Sequence, residues 1–250
     1  MASFGSGILS NLATVVLLAA VVGVLHWLTR RRKVKKFLHV SNHGIIIYAS
    51  RIEVLPGGAL GADRKRRAFA GPTVSESELS SIDQIEDFLS SLRPTSEMLS
   101  SSLTRLRVLW RDTSVKARLA PRDESGIERS STLISLGSPA YNIVSAVIER
   151  DFARLARFQD DNQEIAIPGV GSTRDVEAFL VERAVNRNLG QCAFYVAGQS
   201  QLGTLTAAGY LVSHWEELHK RFPHNQSFAI VFAGRFLEGR EPELLFETHT

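Results

Sequence analysis

The chain has 250 residues, with 29 Lys and Arg against 26 Asp and Glu, a formal net charge of +3 and one cysteine. The lone Cys192 excludes an intramolecular disulfide, and its setting in Cys192-Ala-Phe-Tyr-Val-Ala marks a buried thiol rather than a nucleophile. The positive balance does not point to nucleic acid: six cations crowd residues 30–36, no acid precedes Glu53, and after residue 36 acids outnumber cations.

Residues 8–28 form an uncharged apolar run, long enough to cross a hydrocarbon core of about 30 Å as one helix. Arg30, Arg31, Arg32, Lys33, Lys35 and Lys36 follow at once, whereas residues 1–7 carry no charge. A secretory signal has the opposite order of charges, so the run reads as an uncleaved, single-pass anchor in the cell membrane. The expected organisation is a short extracytoplasmic 1–7, a transmembrane helix 8–28, and a basic juxtamembrane linker 29–43 facing anionic lipid headgroups, with the remainder in the cytoplasm.

Residues 45–55 are rich in β-branched side chains and stop at Pro56-Gly-Gly, which predicts a strand. Arg64, Lys65, Arg66 and Arg67 follow a Gly-rich turn and read as a solvated loop, with a second headgroup contact as the sharper alternative. Leu79, Ile82, Ile85, Phe88, Leu89 and Leu92 recur at three and four, Ser75 and Glu78 match a capping box, and Pro94 ends the run, which predicts an amphipathic helix. Residues 99–119 fit either a helix or two strands, the second half favouring strands. The polar stretch 121–130 suggests a boundary between an N-terminal α+β part, 44–120, and a C-terminal part, 131–250.

The C-terminal part carries two similar units. Residues 132–136 read as a strand running into Gly137-Ser-Pro-Ala-Tyr-Asn142 and an apolar-periodic helix, with Ser138 as cap and Pro139 as first helical residue. Residues 192–197 read as a strand running into a loop from Gly198 to Thr204 and a helix reaching Phe222, with Thr204 as a cap and Gly209 allowing close approach to a sheet. The intervening segments read as two hairpins, and 227–233 and 243–248 as further strands. The expected fold class is α/β, a Rossmann-like domain with a mixed sheet behind one transmembrane helix.

Glycines five apart between strand and helix look like the start of a phosphate loop, yet Thr204 and Leu205 stand where lysine and a hydroxyl are required, which argues against an ATPase or GTPase. What remains is a loop friendly to an anion beside a helix N-terminus. Parallel strands would bring both turns to one sheet edge, making Gly137, Ser138, Tyr141, Asn142, Gly198, Gln199, Ser200, Gly203 and Thr204 the candidate ligand-binding residues.

No cofactor is indicated and no metal site is expected: His214 and His219 are five apart, not four, and lack a third ligand. No G-x-S-x-G elbow is present. Glu149 and Glu182 are the acids singled out for any hydrolysis of a nucleotide or N-glycosidic bond. The expected function is a membrane-anchored cytoplasmic module that binds a small anionic, nucleotide-like ligand. A hydrolase using the same pocket and a ligand-free interaction scaffold are the alternatives.

Overall fold

A computed structural model of the chain describes residues 2–40, 44–54, 71–90, 114–152, 155–159, 164–174, 176–186, 190–234 and 242–250. The basic run Arg64 to Arg67, the half-strand at 106–110, and the hairpin turns at 160–163 and 187–189 lie outside them.

The elements run in the order α1 (Ala2–Phe37), β1 (Ile45–Ala49), β2 (Ile52–Val54), β3 (Gly71–Thr73), α2 (Glu76–Ser90), β4 (Val115–Leu119), β5 (Thr132–Leu136) and α3 (Ile143–Val147). After α3 comes one π-helical turn, Ile148–Phe152. Next are β6 (Arg157–Gln159), β7 (Glu164–Ile167), β8 (Gly171–Ser172), β9 (Ala178–Asn186), β10 (Gln191–Gly198), α4 (Gln201–Arg221), β11 (Phe228–Ala233) and β12 (Glu243–His249).

Seven strands form one mixed sheet in the order β12-β11-β9-β10-β5-β1-β4. The block β4-β1-β5-β10 is parallel, and β9, β11 and β12 continue it antiparallel. The expected boundary at 121–130 does not divide this sheet, because β1 lies hydrogen-bonded between β4 and β5. The predicted strand over 45–55 is cut in two, since the chain leaves the large sheet after Ala49 and β2 pairs with β3 instead.

Every residue of β1 and β5 is buried, as expected of strands covered on both faces. Ile45, Ile47, Ile134, Phe194 and Phe228 point to one core, shared with α2, α4 and the end of α1. Ile46, Tyr48, Leu133, Leu180 and Tyr195 point to the other, covered by α3, the π-helical turn and the small sheet β6-β7-β8. Period-two alternation thus feeds two separate cores.

The segment Thr14–Phe37 of α1 is long and apolar enough to cross a membrane, and its apolar window is not buried in the domain. The helix does not give way to a linker after Leu28. It continues through the cations to Phe37, because Val34, Phe37 and Leu38 repeat at three and four and drop into the first core. The Phe37 ring lies 5.4 Å from Phe194 and 6.3 Å from Trp215.

Arg183 closes this junction. It is fully buried, lies over Phe37 and Phe228, and donates to the carbonyls of Phe37, Phe222, Pro223 and Gln226. Phe37 ends α1 and Phe222 caps α4, so the guanidinium sits where two helix C-termini present unsatisfied carbonyls and the negative ends of their dipoles. Burial pushes its pKa down to about 10, leaving it charged at neutral pH.

Candidate functional site

The carboxyl ends of β1, β5 and β10 lie side by side and open onto a cleft of about 350 Å³. Both glycine turns reach it. Gly137, Ser138 and Tyr141 line one wall, and Gly198, Gln199, Ser200 and Thr204 line the other. Parallel pairing of β5 with β10 is the reason, since it sets the two strand-to-turn exits at the same edge.

Local bonding assigns different work to several of these residues. α4 begins at Gln201, not after Thr204, because Ser200 is the cap: its Oγ accepts from the Gly203 amide at 3.0 Å. The Thr204 hydroxyl instead accepts from the Gly198 amide at 3.1 Å. Gly203 is buried in the first turn of α4, and a Cβ on Gly198 would overlap the Gly203 and Thr204 backbone. These two glycines therefore let β10 and α4 meet. The role expected of Gly209 falls to them, since Gly209 faces Gln84 of α2.

Asn142 is the cap of α3, in place of Ser138, and is completely buried. Its Oδ1 accepts from the Val144 amide at 2.9 Å while Nδ2 donates to Tyr48 O and Leu136 O. Gln199 is similarly engaged, with Oε1 accepting from the Ala178 amide and Nε2 donating to Thr173. Asn142 and Gln199 hold the cleft's walls together. Among the described residues, the lining also presents the polar side chains of Ser138, Tyr141 and Gln201.

Glu78 is the lining residue that the sequence reading placed only in a cap. Ser75 does accept from the Glu78 amide, but the Glu78 carboxylate turns away to Ser50, accepting from its amide at 2.8 Å and its hydroxyl at 2.6 Å. Burial raises the Glu78 pKa, and the two Ser50 bonds partly oppose the rise. Gly137, at φ +86°, lies against this pair, where a Cβ would overlap both the Ser50 hydroxyl and the Glu78 carboxylate. Among the described residues, the lining of this part of the cleft has no Lys or Arg.

Tyr141 also lines a second, more open hollow of about 640 Å³ over the ends of β1 and β4. Arg51 and Arg122 supply its charge, with Pro121 and Pro139 on its walls. The Arg51 amide donates to Tyr141 O at 3.0 Å, and the Ala120 amide to Ala49 O at 2.8 Å, which fixes both arginine-bearing segments beside the β1 exit. Sequence inspection gave no sign of these arginines, because one follows a strand and the other opens a polar stretch.

The acids named as catalytic candidates come together, but elsewhere. Glu149 Oε1 accepts from the Tyr195 hydroxyl at 2.9 Å and the Phe158 amide at 3.0 Å. Glu182 lies on the same face of the sheet, fully buried, and neither carboxyl oxygen makes a well-formed hydrogen bond among the described residues. Desolvation first and the nearby Glu149 second push its pKa well up, against a small opposing influence from the Ala156 amide. Glu182 pairs with Tyr195 whereas Phe179 pairs with Gly198 at the edge, so Glu182 stands about 10 Å inside the sheet from the cleft.

Among the described residues no group of His, Cys, Asp and Glu could hold a metal. His214 stacks on Tyr210 at 4.1 Å and His219 packs edge-on against Phe37. Burial first, and the Arg183 charge second, push the His219 pKa down. Comparison of the chain with family models, with curated proteins and with solved structures finds no match.

Proposed function

We propose that the chain is a single-pass membrane protein, N-terminus outside, whose Rossmann-like domain binds a small nucleotide-like ligand in the cytoplasm. The convergence of both strand-to-turn exits on one cleft is the observation that carries this reading. Two faces of a parallel block covered by helices support the Rossmann-like assignment, and the cations after the apolar segment of α1 support the orientation, by the positive-inside bias. A hydrolase reading draws no support from Glu149 and Glu182, which stand away from the cleft.

Binding is tested on the full chain in nanodiscs by thermal shift against ribonucleotides and dinucleotides. Stabilisation by at least one of them is expected, and Gln201→Trp, at an exposed position on the rim, should abolish it without lowering the Tm of the free protein. Stabilisation that survives this substitution places the site elsewhere. No response across the panel leaves the ligand-free scaffold as the reading.

Orientation is read by labelling intact cells with a membrane-impermeant maleimide. Native Cys192 is buried and its thiol is pushed up to about 12 by burial, so it gives no background. Ser3→Cys should label in intact cells and Glu217→Cys only after lysis; the reverse pattern inverts the topology.

A further inference from the structure

We infer that the adjoining ends of α1 and α4 form one basic surface that holds the domain against anionic lipid headgroups; this rests on the membrane reading above. Residues 29–40 and 218–226 contain no acid, and they carry six and two Lys or Arg respectively. Far apart in the chain, the two segments meet because the Arg183 guanidinium bonds the carbonyls of Phe37, Phe222 and Pro223 together. The cations at the end of α4 are thereby added to those of α1.

Little in the domain neutralises this surface. Lys33, Lys36, Lys220 and His224 are exposed, and none of them is ion-paired with a described residue; Arg221 does have an acid partner, Glu247. Nor do the helix ends require these side chains, because the buried Arg183 already serves carbonyls at both C-termini. Burial first, then the charges of Arg183, Lys33, His224 and Lys36, push the His219 pKa down, so cations from both segments act on one imidazole.

Distance to the bilayer selects the partner. α1 is continuous to Phe37, and residues 29–37 rise about 14 Å beyond the apolar run. The headgroup layer takes up about 5–7 Å of this, which leaves the junction within one Debye length, about 8 Å at physiological salt, of a charged leaflet. An acidic protein would have to enter that gap, whereas headgroups already line it. The cleft is at the other end of α4, about 30 Å along the helix from this surface, and stays clear of the contact.

The test is fluorescence quenching on the full chain, in nanodiscs of phosphatidylcholine alone or of equal parts phosphatidylcholine and phosphatidylserine, each doped with a headgroup-nitroxide lipid. A fluorophore on Asn225→Cys, at an exposed position beside His224, should be quenched about twofold or more strongly in the mixed nanodiscs. The same fluorophore on Gln201→Cys, at the far end of α4, should be quenched in neither. Lys220→Glu combined with His224→Glu should remove the phosphatidylserine effect at position 225. Equal quenching there in both nanodiscs, or a difference that survives the double charge reversal, overturns the lipid surface. The membrane reading is checked separately with a fluorophore on Val21→Cys and an acyl-chain nitroxide lipid. Quenching at position 21 leaves that reading standing whatever happens at 225, and its absence overturns both.

Discussion

Single residues in this protein are constrained by what surrounds them rather than by their type. Gly137 combines a left-handed backbone with contact against Ser50 and Glu78, so Gly137→Ala should destabilise by about 1–3 kcal/mol in urea titrations and loosen the Ser50–Glu78 pair. Glu182 gives a pH signature. Its folded pKa is raised, so between the unfolded and folded values the native state holds a proton that the unfolded chain has lost. Stability from this site therefore falls as pH rises from the ordinary carboxyl range to the folded pKa. Glu182→Gln removes that dependence: denaturation should find the variant more stable than the native chain at pH 8, with the gap narrowing towards pH 4. Equal slopes of stability against pH would show Glu182 ionised in the fold. Capping residues were readable in sequence as a class but not as individuals. Ser138 and Thr204 are as suitable in type as Asn142 and Ser200, and only the point at which each helix meets the sheet selects between them.

Among the elements, α1 is the one whose sequence pattern and structural role differ most. Its apolar segment and its cations are plain in the sequence, but the three-residue stripe Val34, Phe37 and Leu38 is hidden among lysines. That stripe makes the end of α1 part of the domain core. Truncation to residue 30 should leave a folded domain, whereas truncation to residue 39 should not give a cooperative thermal transition. Phe37→Ala should cost about 3–5 kcal/mol by the same measurement. Arg183→Met keeps the bulk but leaves the carbonyls of Phe37, Phe222, Pro223 and Gln226 without this donor, a loss on the order of 3 kcal/mol. An equal loss from Arg183→Met and Arg183→Lys would locate the effect in the fork geometry rather than in charge. At the other end of α4, Ser200→Ala should cost about 1 kcal/mol as a lost cap.

Over the whole molecule, the apolar segment of α1 and the cleft occupy opposite ends of the sheet, and α4 runs between them with Ser200 at the cleft and Phe222 at Arg183. The continuous helix makes the attachment stiff, with no linker between the apolar segment of α1 and the core. Sequence by itself determined the apolar segment, the mixed α/β character, the positions of most described strands along the chain and the two strand-to-turn units, because each rests on periodicity and turn chemistry within a dozen neighbours. Tertiary structure alone decided that β1 enters between β4 and β5, that Glu78 leaves its capping box for Ser50, and that Arg51 and Arg122 share one hollow. Each of those joins segments far apart in the chain. Such contacts depend on strand order and register, which local pattern does not encode, so the charge distribution of the cleft emerges only when the sheet is assembled.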